Sequence, residues 1–399
     1  MAQHLVSSWS RCPRDETGRV VGFWCDVQLS FSVIIPARDA AAVLPECLKA
    51  IARRPEGQQQ RVVTATTSLD STGGIPLEVI VADDGSTDAT AAEAEAFGAR
   101  LVRPVGRGPA AARNAGARAA SGDLLVFLDA DCVAEEGCFE ALLEPFADPE
   151  VAGSRGGYTS TQRALLARFV QLEMEEKQAR LAESGQATLL DTACAAFRRG
   201  LFLAQGGFDE GLPATSAEDA ELSFRLTSLG YRLVYAPQAR VQHRHPEQMG
   251  SYLRRKLRFG YYRALLYRRY PARMRNDGYT PRLMPMQILL SGALAAAVVA
   301  GGWIVPARPV AVVVGLLFLA TALPLAARAW RKDRWLAIVV PPLLLARSLA
   351  QGTGLLAGIV SLLVAPVRST VRHRGRRPEV TDPAGRGPGG GTQDPDPLQ

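Results

Sequence analysis

The chain has 399 residues, a formal net charge of +7 and an apolar fraction of 47%. This is the composition of a folded protein, long enough for one large domain and a smaller unit. Its six cysteines (Cys12, Cys25, Cys47, Cys132, Cys138 and Cys194) form no C-x-x-C pair and fit no zinc spacing pattern, so they read as reduced thiols in a cytosolic compartment.

Residues 1–29 show no period and no long apolar core, so they read as an N-terminal extension without a signal peptide. "FSVIIPA" (Phe31–Ala37) is a β-branched run closed by Pro36 and predicts a buried strand. "AAAVLPECLKAIARR" has helical spacing, and the polar segment 57–75 predicts a loop insertion. "LEVIVADDGS" predicts a second strand ending in acids. "TDATAAEAEAFG" predicts a helix with Thr87 or Asp88 near its N-cap and Gly98 at its C-terminal end. "ARLVRPV", the Ala-rich "GPAAARNAGARAASG" and "DLLVFLDAD" continue the alternation as strand, helix and strand. After Gly230, "YRLVYAPQARVQHRHP" predicts a last strand and a loop. Continuously apolar strands alternating with helices imply a mostly parallel sheet covered on both faces, with ligands beyond the carboxyl ends of the strands. Two acid clusters, Asp83-Asp84 and Asp129-Ala130-Asp131, lie at such ends.

The C-terminal part changes character. Nine Lys or Arg and no acid lie between Arg254 and Arg275, which calls for a partner of negative charge. Residues 251–280 read as a basic interfacial helix region. Residues 284–367 read as a transmembrane region of two to three spans, near 286–305, 310–327 and 336–365. The last of these contains Pro341, Pro342 and Arg347, which leaves one imperfect span or a re-entrant pair as alternatives. Residues 368–399 form a disordered basic and Gly/Pro-rich tail. The connection 328–334, with four basic residues, is assigned to the cytoplasm by the positive-inside tendency, and with it the first 280 residues. The expected location is therefore a multi-pass protein of the cell membrane with its N-terminal domain in the cytoplasm.

Asp129-x-Asp131 follows an apolar run, and residues two apart in a strand point to one side. Two such carboxylates repel unless a cation lies between or beside them, and Mg²⁺ or Mn²⁺ takes carboxylate oxygens together with substrate phosphates. A solvated turn with two surface acids is the alternative; the second acid pair at another strand end favours the metal. Asp83 and Asp84 open a helix, so one of them can serve only as a cap. Glu218 and Asp219 also stand at a predicted helix start, with Ser216, where acids are favoured by the helix dipole.

"SVIIPARDAAAVLPECLKAI", "EVIVADDGSTD", "GPAAARNAGARAASGDLLVFLDADC", "AFRRGLFLAQGGFDE" and "SAEDAELSFRLTSLGYRL" follow one another in an order that resembles family 2 glycosyltransferases, inverting enzymes of the GT-A fold. The resemblance covers residues 31–245. It implies a Rossmann-like α/β GT-A domain over 30–250 with a C-terminal α-helical membrane region. It implies a nucleotide pocket formed by Pro36, Ala37, Arg38, Asp83, Asp84, Arg113 and Asp129, with Asp84 reading a uracil edge. It implies Asp131 as a direct metal ligand with Asp129 nearer the ribose, His243 as a further ligand and His245 as a weaker one. Asp219, next to Glu218, takes the place of the general base, which inversion by a single displacement requires. Arg254, Arg255 and Arg258, with Lys256 among them, bind either lipid headgroups or the diphosphate. Cys194 stands where relatives often carry Asn, so it is a candidate for sugar or acceptor contact, and the 153–163 loop for donor discrimination. The Q-x-x-R-W motif of processive synthases is missing, which argues against a polymer-extruding synthase.

The expected function is transfer of a sugar from a nucleotide-diphosphate donor, UDP-linked by the resemblance, to a lipid-linked or other membrane-proximal acceptor of the cell envelope. Membrane lipids are a further partner, and no nucleic acid is expected. The alternatives are a glycosyltransferase acting on a modified peptide or redox cofactor (mycofactocin-like) and a catalytically silent nucleotide-sugar-binding membrane protein.

Overall fold

The computed structural model describes residues 29–52, 77–212, 217–274 and 280–364. Expectations for the N-terminal extension up to residue 28, the 57–75 insertion, Ser216 and the 368–399 tail fall outside these residues. The sheet contains β1 (Phe31–Ala37), β2 (Leu77–Asp83), β3 (Arg100–Val102), β4 (Leu124–Leu128), β5 (Cys132–Ala134), β6 (Val151–Thr159), β7 (Cys194–Arg198) and β8 (Arg232–His243). Their spatial order is β3-β2-β1-β4-β7-β6-β8-β5. The first four strands are parallel to one another, as is the β6–β8 pair, whereas β7 is antiparallel to both its neighbours and β5 is antiparallel to β8.

Alternation along the strands builds the two faces. Val33, Ile35, Val126 and Leu128 enter one core, while Ile34, Leu125 and Phe127 enter the other. The covering helices are α1 (Leu44–Ala52), α2 (Thr90–Ala96), α3 (Pro109–Ala119), α4 (Cys138–Leu143), α5 (Leu165–Ser184), α6 (Arg199–Ala204) and α7 (Glu218–Ser228). The expected α/β sheet with helices on both faces is therefore present.

Two expectations need correction. The stretch 153–163 is strand β6 through Thr159, with most of its residues buried. Its glycines belong to tight packing: a Cβ on Gly153 would lie 2.5 Å from Leu190 Cδ1, and one on Gly156 would lie 2.5 Å from the Ala239 oxygen. The Asp129–Asp131 segment is a turn between β4 and β5 rather than part of a strand. The strand rule for two residues on one side therefore does not govern it, and the two acids have different neighbours.

Beyond β8 come α8 (Met249–Arg269), α9 (Met284–Gly301), α10 (Ala307–Trp330) and α11 (Arg334–Val364). The last three are long and apolar enough to cross a membrane. α11 runs unbroken through Pro341 and Pro342 for 31 residues, so the re-entrant alternative gives way to one helix. At 1.5 Å per residue it is about 46 Å long. Neighbouring helices can satisfy the backbone groups that prolines free in such segments.

α8 and α11 touch backbone to backbone. A Cβ on Gly260 would fall onto the Gln351 carbonyl, and Cβ atoms on Gly354 and Gly358 would fall onto the carbonyls of Leu257 and Tyr261. Gly354-x-x-x-Gly358 is a small-residue seam of the kind that lets membrane helices approach closely. A buried charge knot locks the same junction. Glu173 of α5 accepts from Lys256 Nζ (2.9 Å), Tyr252 Oη (3.3 Å) and Arg347 Nη1 (2.5 Å). Arg347 also donates to Gln287 of α9. Burial alone would raise the Glu173 pKa, but Lys256 and Arg347 outweigh it and hold the carboxyl at about 2.

Gly354→Val should drive α8 and α11 apart and lower stability by about 1–3 kcal/mol, read as a drop in the thermal unfolding midpoint in detergent. Gly292→Val, at a position with open space around it, should leave the midpoint nearly unchanged.

Candidate active site

The site forms where β1, β2 and β4 end and where α7 and α8 begin. Gly108, at φ +96°, precedes Pro109 at the first turn of α3. Its N–H donates to both oxygens of Asp84 at 2.9 Å, and Arg38 lies 3.7 Å from that carboxylate. Asp83 is buried, accepts from the Ser86 N–H at 2.9 Å and lies 3.8 Å from Arg103. The Ala37 carbonyl accepts from the Asp84 N–H at 2.9 Å, and Pro36 and Ala37 pair with Ala82 and Asp83. Asp39, at φ +48°, accepts from the Thr87 N–H at 2.8 Å and ties the 38–39 and 84–88 turns into one rim. The expected nucleotide residues from Pro36 to Asp84 thus stand together, with Asp83 and Asp84 engaged in holding the rim.

α3 lies flat on β1 because Gly116 sits against Ile34, where a Cβ would come within 2.5 Å of the Ile34 Cγ2. Arg113, three residues earlier on the same helix face, is thereby aimed at the end of β4. Its Nη2 donates to Asp129 Oδ1 at 2.7 Å and its Nη1 to Glu218 Oε1 at 2.9 Å. Arg113 is buried; burial opposes its charge, but the charges of Asp129 and Glu218 outweigh that and raise its pKa.

Asp219 follows at the start of α7, half-buried on the wall of a cavity of about 460 Å³. Burial, then the neighbouring charges of Glu218 and Asp191, push its carboxyl well above the usual aspartate range. Asp129, Glu218, Asp191 and Arg113 line the same cavity, and so do Arg254, Arg255, Arg258 and Arg263 of α8. Of the two roles expected for the α8 arginines, this placement turns Arg254, Arg255 and Arg258 toward the carboxylates. Lys256 points the other way, into the Glu173 knot.

Asp131 and His243 meet on the far side of Asp129. Together with Cys132 they offer donor atoms within 4.8 Å of one another. Burial raises Asp131, with the Asp129 charge adding to it against the pull of His243. His243 Nδ1 is buried with no hydrogen-bond partner among the described residues. A donor left in this way beside a carboxylate fits a cation ligand. His245, the weaker candidate, is bonded through Nε2 to Gln171 at 2.8 Å. Burial and then the charges of His243 and Arg255 push its pKa down to about 3.

Cys194 is placed differently from expectation. Its side chain is buried in the core, with Sγ 4.0 Å from the Cys138 thiol, and it lines neither cavity found near the site. It pairs with Leu128 across the antiparallel β4–β7 ladder.

Several residues at the site escaped sequence reasoning. Asp191 and Thr192 form a wall of the main cavity. Burial opposes the charge of Asp191, but Arg155 and Arg255 hold its pKa below the ordinary value. In "LLDTAC" it looks like any acid before a strand, and Arg155, which marks it out, lies in the stretch read as a loop. Arg263 and Phe259 extend the α8 wall, and the four-residue steps from Arg255 to Phe259 to Arg263 were the available signal.

Comparison with known proteins gives the following. The model described as glycosyl transferase family 2 matches residues 32–204, and that of glycosyl transferase family group 2 matches residues 124–364. The chain is similar to the pre-mycofactocin glycosyltransferase of Mycobacterium tuberculosis (strain H37Rv), 32% identical over 271 residues that cover 63% of this chain and 57% of that protein. It is similar to an N-acetylglucosaminyltransferase of Rhizobium sp. (strain N33), 27% identical over 247 residues, covering 59% of this chain and 52% of that protein. The chain spans about half the length of the curated relatives it matches. Among solved structures, a mannosyltransferase from Pyrobaculum calidifontis in complex with GDP-Man and Mn2+ aligns with a TM-score of 0.49 at 22% identity, covering 88% of this chain and 93% of that one.

The double pairing of Arg113 has a direct test. Arg113→Met leaves two acids facing each other in a buried setting and should destabilise the chain by about 3–5 kcal/mol in denaturant unfolding. Arg113→Lys should recover only part of this, because an ammonium cannot span both carboxylates as the planar fork does.

Proposed function

The chain belongs to glycosyl transferase family 2, and from that premise we propose that it is an inverting transferase working on a nucleoside-diphosphate sugar at the membrane surface. The observation that carries this reading is convergence: Asp219, Asp129 and the arginines of α8 face one cavity of about 460 Å³. In this reading the rim from Pro36 to Asp84 holds the nucleoside, and a uridine nucleotide is the first to test. The anomeric carbon lies between Asp219 and the Asp129 side of the cavity. Asp131 and His243 would hold a divalent cation, Mg²⁺ or Mn²⁺, which when bound offsets charge on the diphosphate.

Asp219 takes the proton of the acceptor hydroxyl as that oxygen attacks C1. The bond from C1 to the diphosphate oxygen breaks, and the leaving group carries away the electron pair. Attack from the opposite face inverts the configuration. Its raised pKa makes Asp219 a stronger base than a solvated aspartate. Arg113 keeps Glu218 and Asp129 charge-paired, so that Asp219 is the carboxylate left to act. Arg255 and Arg258 supply positive charge where negative charge grows on the leaving group.

For the acceptor, the favoured class is lipid-linked or otherwise delivered at the membrane. The cavity wall is α8, which rests on an apolar helix able to cross a membrane. The pre-mycofactocin relative supports a second class, a modified peptide or redox cofactor, and Phe224, Phe259 and Leu266 in the cavity suit an aromatic or apolar acceptor equally. Transfer assays offering lipid-linked and soluble acceptors side by side separate the two: turnover of soluble acceptors alone, with indifference to lipid carriers, removes the first.

Asp219→Asn should lower transfer by about 10²–10⁴-fold with donor affinity kept, measured by calorimetry; retained transfer would sink the base assignment. The group acts deprotonated and its pKa is raised, so activity should rise with pH through a limb above the ordinary aspartate value of about 4. That limb should be missing from the residual activity of the variant.

Arg258→Ala should raise the donor KM by about tenfold or more, a loss of about 1.4 kcal/mol, in micelles free of anionic lipid. An unchanged KM, with loss of binding to anionic vesicles, would assign the α8 arginines to the bilayer instead.

A further inference from the structure

The turn after β4 leads directly into β5, and this brings a thiol beside the carboxylate and imidazole read above as cation ligands. Cys132 stands directly opposite His243 in the antiparallel β5–β8 pair. Residues opposed in this way carry their side chains on the same face, with Cβ atoms about 4.5–5.5 Å apart. The Cys132 Sγ also lies 3.9 Å from Asp131 Oδ1. One donor atom from each of Asp131, Cys132 and His243 therefore falls within 4.8 Å of the others. His243 Nδ1, buried and without a hydrogen-bond partner among the described residues, is an independent sign of an unsatisfied ligand. Asp129, the other acid of the turn, is not part of this group, since its Oδ1 is taken by Arg113.

We propose that Cys132 is a third protein ligand of this centre, which makes it a mixed oxygen, nitrogen and sulfur site that prefers Zn²⁺, Co²⁺ or Cd²⁺ to Mg²⁺ and Mn²⁺. The proposal rests on the reading that Asp131 and His243 hold a metal; the thiol and the resulting selectivity are what it adds. Carboxylates and water suit Mg²⁺ and Mn²⁺, whereas a thiolate selects softer ions. Bond lengths of about 2.3 Å to sulfur and about 2.0–2.2 Å to nitrogen and oxygen bring such donors to roughly 3–4 Å from one another. From a spread of up to 4.8 Å, side-chain rotation would have to bring the donors closer by about 1–2 Å. On binding, the S–H bond breaks, a sulfur–metal bond forms and the proton passes to solvent. Cys132 is fully buried, and the proton leaves on the side of Asp131 and His243, which are only half-buried. With three protein ligands the site would match a catalytic rather than a closed structural centre.

The test uses the full-length protein in detergent, stripped with a chelator and titrated with Co²⁺ in the absence of any donor sugar. The wild type should show a near-ultraviolet sulfur-to-cobalt charge-transfer band that Cys132→Ser lacks. Cys47→Ser should keep the band; its thiol is also buried next to the turn, 3.8 Å from the Asp129 carbonyl, and serves as the control. Zn²⁺ affinity should fall about tenfold or more in Cys132→Ser, in line with the loss of a metal contact, with Mn²⁺ affinity changing by less than about threefold. Should Cys132→Ser fail to fold, as read by circular dichroism, the ¹¹³Cd resonance of Cys47→Ser decides the matter, because a sulfur ligand moves it clearly downfield and the Cys47 thiol is then absent. Metal binding that is abolished by Asp131→Asn but shows neither the band nor the downfield shift overturns the thiol ligand and leaves the metal centre standing. Binding that persists unchanged in Asp131→Asn, or no binding at all, overturns both.

Discussion

The site depends on one guanidinium. Asp129 stands at the end of β4 and Glu218 at the first turn of α7, and Arg113 holds both at hydrogen-bonding distance. Without it, the end of the sheet would present Asp129, Asp191, Glu218 and Asp219 to one another across a single cavity. Two like charges about 4 Å apart repel by about 4 kcal/mol at an effective dielectric of about 20, so such a cluster persists only when it is paired. The pairing also sets a division of labour. Glu218 and Asp129 share one guanidinium, while Asp219, one residue along, stays poorly solvated next to negative charge, which raises its carboxyl well above the usual aspartate range. Gly116, by letting α3 settle on Ile34, is what puts the guanidinium there.

How far the molecule was readable in advance varied by region, for physical reasons. β1, β2 and β4 announced themselves because fully buried central strands need continuous apolar residues, and Phe31–Ala37 and Leu124–Leu128 supply them. β6 did not, because "VAGSRGGYT" is made of the small residues its neighbours demand: Leu190 and the Ala239 carbonyl leave no space for larger ones. Glycine chosen for closeness reads the same as glycine chosen for a turn. At the site, the residues carried by local motifs (Asp84, Arg113, Asp129, Asp219) come to one end of the sheet. Those defined only by distant partners stayed invisible: Asp191 acquires meaning from Arg155 and Arg255, and Glu173 from Arg347, 174 positions away. Cys194 shows the converse. It stands beside motif residues in the chain, but strand alternation turns its thiol into the core.

The apolar helices are not an appendage to the α/β domain. Glu173 belongs to α5, Lys256 to α8, Arg347 to α11 and Gln287 to α9, and hydrogen bonds join all four. A charge within a helix suited to a membrane is costly unless paired, and here its partner comes from the catalytic domain. The knot therefore ties the docking of α11 to that of α8, whose opposite face carries Arg254, Arg255 and Arg258.

α8 thus has two owners. Its arginine face completes the cavity, while Gly260 and its neighbours lie against the glycine seam of α11. A chain cut after residue 274 would keep every acidic residue of the site and every strand of the sheet, but α8 would present a naked apolar groove to water. The cut would therefore remove no catalytic group, yet the cavity would lose the support of one wall. Solubility and a formed cavity are for this protein competing demands, and the apolar helices work as scaffolding for the arginine wall of that cavity.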